Sequence, residues 1–228
     1  MSNFLVDSAG LGFMVGLYYW SYSCIQIPLG ITMDRLGPRV FMCGAAFLCA
    51  FSCYLFGATT SPLVGGIARF LMGMGSACGL IGTIKLGTIW LEPKHVAKVT
   101  ALAILMGTAG AGMAGVPLEF FLNKFGFVNS MNLLAAIGLV VGVVIYLVVH
   151  NHPEIDHHEE LPDLYENTHP FTDIITIAKT PQAWVVAIYG MLMYIPIAVI
   201  GDLWGISFIE GTQNVAESEA AQVVSTMF

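Results

Sequence analysis

GITMDRLGPR, residues 30–39, is a short charged segment between two long apolar stretches, residues 18–31 and 40–58. Asp34, Arg35 and Arg39 supply its charges. Charged side chains are costly in the hydrocarbon layer of a bilayer, so a segment of this kind belongs at the membrane surface. The pattern therefore predicts a tight turn that joins two transmembrane helices.

The composition places the chain among membrane proteins. Of its 228 residues, 57% are hydrophobic and 10% are charged, and the mean hydropathy is +0.78. Soluble domains carry about 25% charged residues. The apolar runs are continuous and do not alternate every second residue, which favours helices over a β-barrel. The predicted fold class is all-α, a polytopic helical membrane protein.

Six apolar segments are long enough to cross a bilayer, which takes about 20 residues. They are Leu11–Ile31, Val40–Ala58, Leu63–Leu91, Val99–Phe121, Met131–Val149 and Ala183–Phe208. The polar, acidic stretch 151–182 separates the fifth segment from the sixth and is predicted to be a linker. The pairs Gly75/Gly79 and Gly138/Gly142 have the spacing of close helix packing.

The Lys and Arg residues predict the orientation, because cytoplasmic segments carry an excess of them. Five lie between spans on one side, and Lys124 lies on the other. The five are Arg35, Arg39, Lys94, Lys98 and Lys179. The linker and the charged segment 30–39 are therefore predicted to be cytoplasmic, in a multi-pass protein of the inner or plasma membrane.

Two motifs resemble the major facilitator superfamily. The pattern Gly-x-x-x-Asp-Arg-x-Gly-x-Arg at residues 30–39 is similar to the segment that joins the second and third helices of that family. The stretch RFLMGMG, residues 69–75, is similar to an element of its fourth helix. The resemblance implies a fold of twelve helices in two similar halves.

Aligned in this way, the chain matches roughly the second to seventh helices of the family. Residues 1–150 are then most of the N-terminal bundle, without the family's first helix, and residues 151–182 are the cytoplasmic linker. Residues 183–228 are the start of the C-terminal bundle, with the beginning of an eighth helix at Glu217. The expectation is a partial transporter chain.

The resemblance implies a gating role for residues 30–39. Gly30 would let the two halves approach closely when the cytoplasmic gate is shut, and Asp34 would face a helix N-terminus of the other half. Arg35 and Arg39 would pair with acids or hold the shape of the segment around Gly37. A turn glycine at position 30 and simple positive-inside anchoring by the arginines are the alternatives.

Five further residues are candidates for substrate binding or coupling. Arg69 lies about two turns into its span, where a cation usually faces the protein interior. It could contact an anionic substrate, assist proton coupling or pair structurally with an acid. Tyr18, Tyr22 and Gln26 share a helical face, and Lys85 adds a second cation that could instead reach the lipid headgroups.

The favoured function is secondary active transport of a small solute, with an organic anion as the substrate class, by alternating access. Coupling to a proton, as in a symporter, or to a counter-anion is expected. A non-transporting remnant or a membrane interaction protein is the alternative.

Other function classes find no support in the sequence. Paired intramembrane acids, a Ser-His arrangement, metal-ligand spacing and a nucleotide-binding loop are all missing, so an enzyme, a cofactor and a metal site are not predicted. The net charge of −7 and the lack of a basic patch argue against nucleic-acid binding. The expected partners are the substrate and the lipid bilayer.

Overall fold

The computed structural model describes residues 8–113, 116–150, 170–213, 219–220 and 223–224, all of which are helical or in short connections. The helices are α1 Ser8–Leu36, α2 Pro38–Ala58, α3 Pro62–Trp90, α4 Pro93–Met113, α5 Val116–Phe125, α6 Phe127–Val148, α7 Pro170–Lys179, α8 Pro181–Pro196 and α9 Gly205–Gln213. A π-helical segment, Ile197–Trp204, joins α8 to α9. No strand occurs within these ranges.

Proline marks the beginning of several helices. Its fixed φ suits the first helical turn, where its missing N–H has no intrahelical partner to lose. The helices that begin in this way are α2, α3, α4, α7 and α8. The connections before α2, α3, α4 and α8 are short, and α2 follows α1 after the single residue Gly37.

Five helices are long and apolar enough to cross a membrane. These spans are Pro38–Ala58, Pro62–Trp90, Pro93–Met113, Phe127–Val148 and Pro181–Ile200. The first predicted span, Leu11–Ile31, falls within α1, which has the length but not the hydropathy of the other five. Its Tyr, Ser and Gln side chains between residues 18 and 26 account for the difference.

The predicted turn at residues 30–39 is shorter than expected. Gly30 to Leu36 continue helix α1, and Gly37 alone interrupts the helical backbone before Pro38. Gly37 has φ 82° and ψ 155°, a region that is essentially restricted to glycine. The amide of Gly37 still donates to the carbonyl of Met33, 3.0 Å away, so the reversal of direction occurs at one residue.

The chain forms two compact units. The first comprises Met1–Met106 and Phe121–Glu154, and the second comprises Gly107–Phe120 and Ile155–Phe228. In the first unit α2 packs against both α3 and α6, and α1 packs against α3. Glycines permit the close contacts: a Cβ on Gly57 would lie 2.5 Å from Cβ of Met131, and one on Gly138 would lie 3.0 Å from Cβ of Ala50.

Two apolar clusters mark the two ends of the first unit. At one end Met14, Phe56, Ala68 and Met131 come together from α1, α2, α3 and α6. At the other end Leu29 and Met33 of α1 pack with residues 45, 77 and 78 of α2 and α3. These pairings require α1, α3 and α6 to run in the same direction and α2 to run opposite to them.

The second unit contains α7, α8, the π-helical segment and α9. The described part of the predicted linker, 151–182, includes the ten-residue helix α7. Residues 151–169 of that linker lie outside the described ranges. Near the end of the given sequence Ala220 and Val224 are helical and buried, and the start of a further helix at Glu217 stays a prediction.

Candidate functional site

The contact between α1 and α3 builds the neighbourhood of Arg69. Gly73, one turn after Arg69 on α3, faces α1 so closely that an added Cβ would collide with Oγ of Ser21 and the carbonyl oxygen of Tyr18. Oγ of Ser21 in turn donates to that carbonyl over 2.9 Å. The missing side chain at Gly73 therefore lets the Tyr18 turn of α1 lie directly beside the Arg69 turn of α3.

An aromatic ring packs against the Arg69 guanidinium. Its Cζ lies 4.7 Å from the centroid of the Phe56 ring, a cation–π contact between α3 and α2. The polar groups of Tyr18, Tyr19 and Cys53 lie in the same neighbourhood of the guanidinium. Among the residues that the structure describes, no carboxylate oxygen lies within 4.0 Å of it. The structural ion pair considered for Arg69 is thus not formed within that part of the chain.

The tyrosines on α1 form a continuous aromatic group. The Tyr18 and Tyr22 rings are stacked with centroids 6.2 Å apart, and the Tyr19 ring meets Tyr18 edge-on at 5.3 Å. The spacing of four residues predicted that Tyr18 and Tyr22 share a face. Both rings are half-buried, and Tyr22 also packs against the apolar cluster that contains Leu29 and Met33.

Gln26 and Lys85 lie elsewhere. Gln26 is a half-buried residue two turns along α1 from Tyr18 and has no described hydrogen bond that links it to Arg69. Lys85 follows Arg69 on the same uninterrupted helix by sixteen residues, or about 24 Å at 1.5 Å per residue. Of the predicted substrate residues, Tyr18 therefore lies near Arg69, and Tyr22 is connected to this pair by its stacking on Tyr18. Gln26 and Lys85 are separate from them.

The residues of the predicted gate occupy the junction of α1 and α2. Gly30 is half-buried, and a Cβ added to it would find no heavy atom within 4 Å in the described structure. The close helix contact expected at Gly30 is therefore not made by the described residues. Asp34 and Arg35 lie in the last turn of α1, and their side chains fall outside the description.

Arg39 connects the start of α2 to the end of α6. Its Nε and Nη2 donate to the backbone carbonyl of Tyr146 over 3.2 and 2.6 Å, and Cζ lies 4.7 Å from the centroid of the Tyr146 ring. The last four carbonyls of a helix lack intrahelical partners and carry a partial negative charge. Arg39 thus caps the C-terminal end of α6. This role comes in addition to the roles that the sequence suggested for Arg39.

A second contact ties the same end of α6 to α3. Nε1 of Trp90, the last residue of α3, donates to the carbonyl of His150 over 3.1 Å. Together with the Arg39 contact, it brings the end of α3, the start of α2 and the end of α6 to one end of the first unit.

A cavity of about 210 Å³ lies between α2 and α3 and reaches Ile145 of α6. Its lining is almost entirely apolar and includes Met42, Cys49, Cys78 and Gly79. None of the predicted substrate residues lines it. Three or more His, Cys, Asp or Glu side chains in a metal-binding arrangement do not occur among the described residues.

Sequence reasoning missed Phe56 and Tyr19 as neighbours of Arg69. Phe56 is one of several aromatic residues in an apolar span, and its contact depends on how α2 packs against α3. Gly73 belongs to the RFLMGMG stretch, which resembles an element of the family's fourth helix. That resemblance did not indicate which helix Gly73 would contact.

The chain is similar to several membrane transporters. One relative is a probable galactarate/D-glucarate transporter of Pseudomonas putida, 26% identical over 44% of this chain and 23% of its own length. Another is a putative inorganic phosphate cotransporter of Drosophila melanogaster, 25% identical over 69% of this chain and 32% of its own. A putative tartrate transporter of Agrobacterium vitis is 24% identical over 65% of this chain and 34% of its own.

The alignments with these relatives span between about a quarter and a third of the relatives' own lengths. The sequence profile of the Major Facilitator Superfamily matches residues 1–226, which is nearly the whole chain. With its all-helical fold and its five long apolar helices, the chain is a multi-pass membrane protein that belongs to the Major Facilitator Superfamily.

Proposed function

We propose that the protein acts as a secondary active transporter, rather than an enzyme, and that it moves a small organic anion by alternating access. The observation that carries the proposal is the Arg69 guanidinium, which stands among Phe56, Tyr18 and Tyr19 without a described carboxylate partner. A cation inside a membrane bundle is costly and calls for a compensating negative charge. A substrate anion would supply that charge.

The chemistry of the Arg69 group suits a carboxylate or phosphate. A guanidinium presents its N–H donors in a fork that matches the two oxygens of such an anion. Tyrosine hydroxyls next to it can donate further hydrogen bonds to substrate oxygens. The names of the relatives support this class, since galactarate, glucarate, tartrate and phosphate are all anions.

The turn between α1 and α2 is proposed to take part in gating. Open space above Gly30 is available for a helix of the other half, and the Arg39 cap keeps the start of α2 attached to α6. Asp34 and Arg35 would interact with that second half. Coupling of transport to a proton, as in a symporter, or to a counter-anion belongs to the same proposal.

The test is uptake by cells that express the full-length protein. Labelled tartrate, glucarate and inorganic phosphate would be supplied to wild type, Arg69→Ala, Arg69→Lys and Lys98→Gln. We expect Arg69→Ala to abolish uptake of the preferred anion, Arg69→Lys to retain a small part of it, and Lys98→Gln to transport normally. Lys98 is an exposed cation and serves as the matched control.

Two results would overturn the proposal in different ways. Normal uptake by Arg69→Ala would remove the anion-binding role of Arg69. Failure of the wild-type protein to carry any anion or neutral solute in a broad panel would favour the alternative, a membrane interaction protein without transport activity.

A further inference from the structure

We propose that helix α7, Pro170–Lys179, lies along the surface of the bilayer, with its apolar side against lipid chains and its polar side in water. The inference concerns the segment before α8 and does not depend on the transported substrate. It assigns phospholipid as the partner of a helix that the sequence analysis had included in a linker.

The residue pattern of α7 is that of an interfacial helix. Apolar residues stand at positions 171, 174, 175 and 178, the spacing that forms a single stripe on an α-helix. Polar residues stand at 172, 173, 176 and 179, on the other side, and Ile177 lies at the border between the two sides. Ten residues extend about 15 Å, half the thickness of the hydrocarbon layer, so α7 is too short to span it.

The part of the apolar stripe whose side chains the structure describes is not covered by protein. Ile175 is 52% exposed, and Ala178 is exposed as well. In the second unit, α7 contacts α8 at the corner where the two helices meet. An isoleucine left in water forgoes up to about 1.5–3 kcal/mol relative to full burial, which favours contact of this stripe with an apolar medium.

The corner between α7 and α8 places α7 next to a membrane span. Thr180 is extended, with φ −88° and ψ 112°, so α7 is not a straight continuation of α8. Nε1 of Trp184 donates to the carbonyl of Ala178 over 2.7 Å, and Oγ1 of Thr180 donates to the carbonyl of Thr176 over 2.9 Å. These bonds fix the end of α7 to the first turn of the span that begins at Pro181.

The lipid is the occupant that fits this position. The span Pro181–Ile200 has no buried residues in its apolar window, so its surface continues the exposed surface of α7. Trp184 is 57% exposed at the start of the span, and Lys179 closes α7; tryptophan and lysine are residues typical of the headgroup level. The corner therefore lies where the bilayer meets water.

The charge of α7 indicates which lipids it requires. Asp173 and Lys179 balance each other, so α7 carries no net charge. Its binding then derives from apolar contact and does not need anionic headgroups. Vesicles of phosphatidylcholine alone are thus a sufficient probe.

The test uses spin labels at two positions of the full chain in phosphatidylcholine vesicles, with the five native cysteines replaced by alanine. The variants Ala178→Cys and Thr176→Cys each carry one nitroxide, and the two positions are 200° apart around the helix. We expect the label at 178 to be relaxed several-fold more by oxygen than by a water-soluble nickel chelate, and the label at 176 to show the reverse.

Three outcomes would contradict the proposal. Equal access of the nickel chelate to both labels would mean that α7 is surrounded by water. Protection of both labels from oxygen and nickel would mean that protein covers α7. Oxygen access at both positions would mean that α7 is immersed in the hydrocarbon layer. Normal circular dichroism of both variants would establish that the helices remain folded.

Discussion

Arg39 is a helix-capping residue as well as a positive charge at the membrane surface. The sequence pattern identified its charge and its place after Gly37, and it left acid pairing, turn shape and anchoring as possible roles. It could not reveal the Tyr146 carbonyl, which lies 107 residues further along the chain. Contacts of this kind depend on the pairing of α2 with α6, which local patterns do not encode.

We predict that Arg39→Met destabilises the protein, because the carbonyl of Tyr146 loses both donors while the side chain keeps its length. A hydrogen bond from a charged group contributes about 1.5–3 kcal/mol, and partial exposure of this one places the expected loss at about 1–2 kcal/mol. Denaturant unfolding of the purified protein in detergent measures it. Lys98→Met changes an exposed cation in the same way and should be nearly neutral. Equal stability of the two variants would show that the cap contributes nothing.

At the candidate site, Arg69 shows the same limit of prediction from local sequence patterns: the residue could be identified, but its contacts could not. Its depth in the span and its cost in lipid could be predicted from the sequence, as could the shared face of Tyr18 and Tyr22. The proximity of the two groups could not, because it arises from the approach of α1 to α3 at Gly73. A glycine in a Gly-rich membrane span does not indicate which helix it meets.

At the scale of the elements, helix lengths were easier to predict than helix ends. The apolar stretches gave the positions of α2, α3 and α6 closely, because about 20 apolar residues are needed to cross lipid. Helix α1 ran further than predicted, to Leu36. Charged residues indicate the membrane surface but do not end a helix. Helix α1 ends where Gly37, whose backbone conformation is restricted to glycine, is followed by Pro38, which begins α2.

The pairing of α1 with α3 leads to a prediction for glycine substitutions on α3. Gly73→Ala would place a Cβ against Ser21 and the backbone of Tyr18, so we expect it to separate the helices and destabilise the fold by about 1–3 kcal/mol, the range for overpacking. Gly79→Ala meets no atom within 4 Å and should be neutral or stabilising by up to about 1 kcal/mol, since alanine is the better helix former.

Thermal unfolding of both variants in detergent provides the comparison. Uptake by Gly73→Ala should fall as well, because the Tyr18 turn would move away from Arg69. If Gly73→Ala is as stable as Gly79→Ala, the close packing of α1 against α3 is not present in the folded protein.

At the scale of the whole molecule, the orientation in the membrane stays a prediction, and the contacts of the first unit show which of its cations share an end. The Arg39–Tyr146 and Trp90–His150 contacts bring the α1–α2 junction, the end of α3 and the end of α6 to one end. Lys98 follows α3 closely in the chain and therefore belongs to this end. Gly126, which begins the turn into α6, belongs to the other end, where Phe127 packs against Phe56.

The positive-inside rule then assigns the end with Arg39 and Lys98 to the cytoplasm and the end with Lys124 to the outside. Both Lys98 and Lys124 are exposed, so a cysteine at either position is open to a reagent. With the native cysteines replaced, we expect a membrane-impermeant maleimide to label Lys124→Cys in intact cells and Lys98→Cys only after permeabilisation. The reverse labelling pattern would mean that the protein has the opposite orientation in the membrane, with the proposed gate at Gly30 on the outer side. Labelling of both positions in intact cells would contradict a single membrane crossing between them, and with it the shared end inferred for Lys98 and α3.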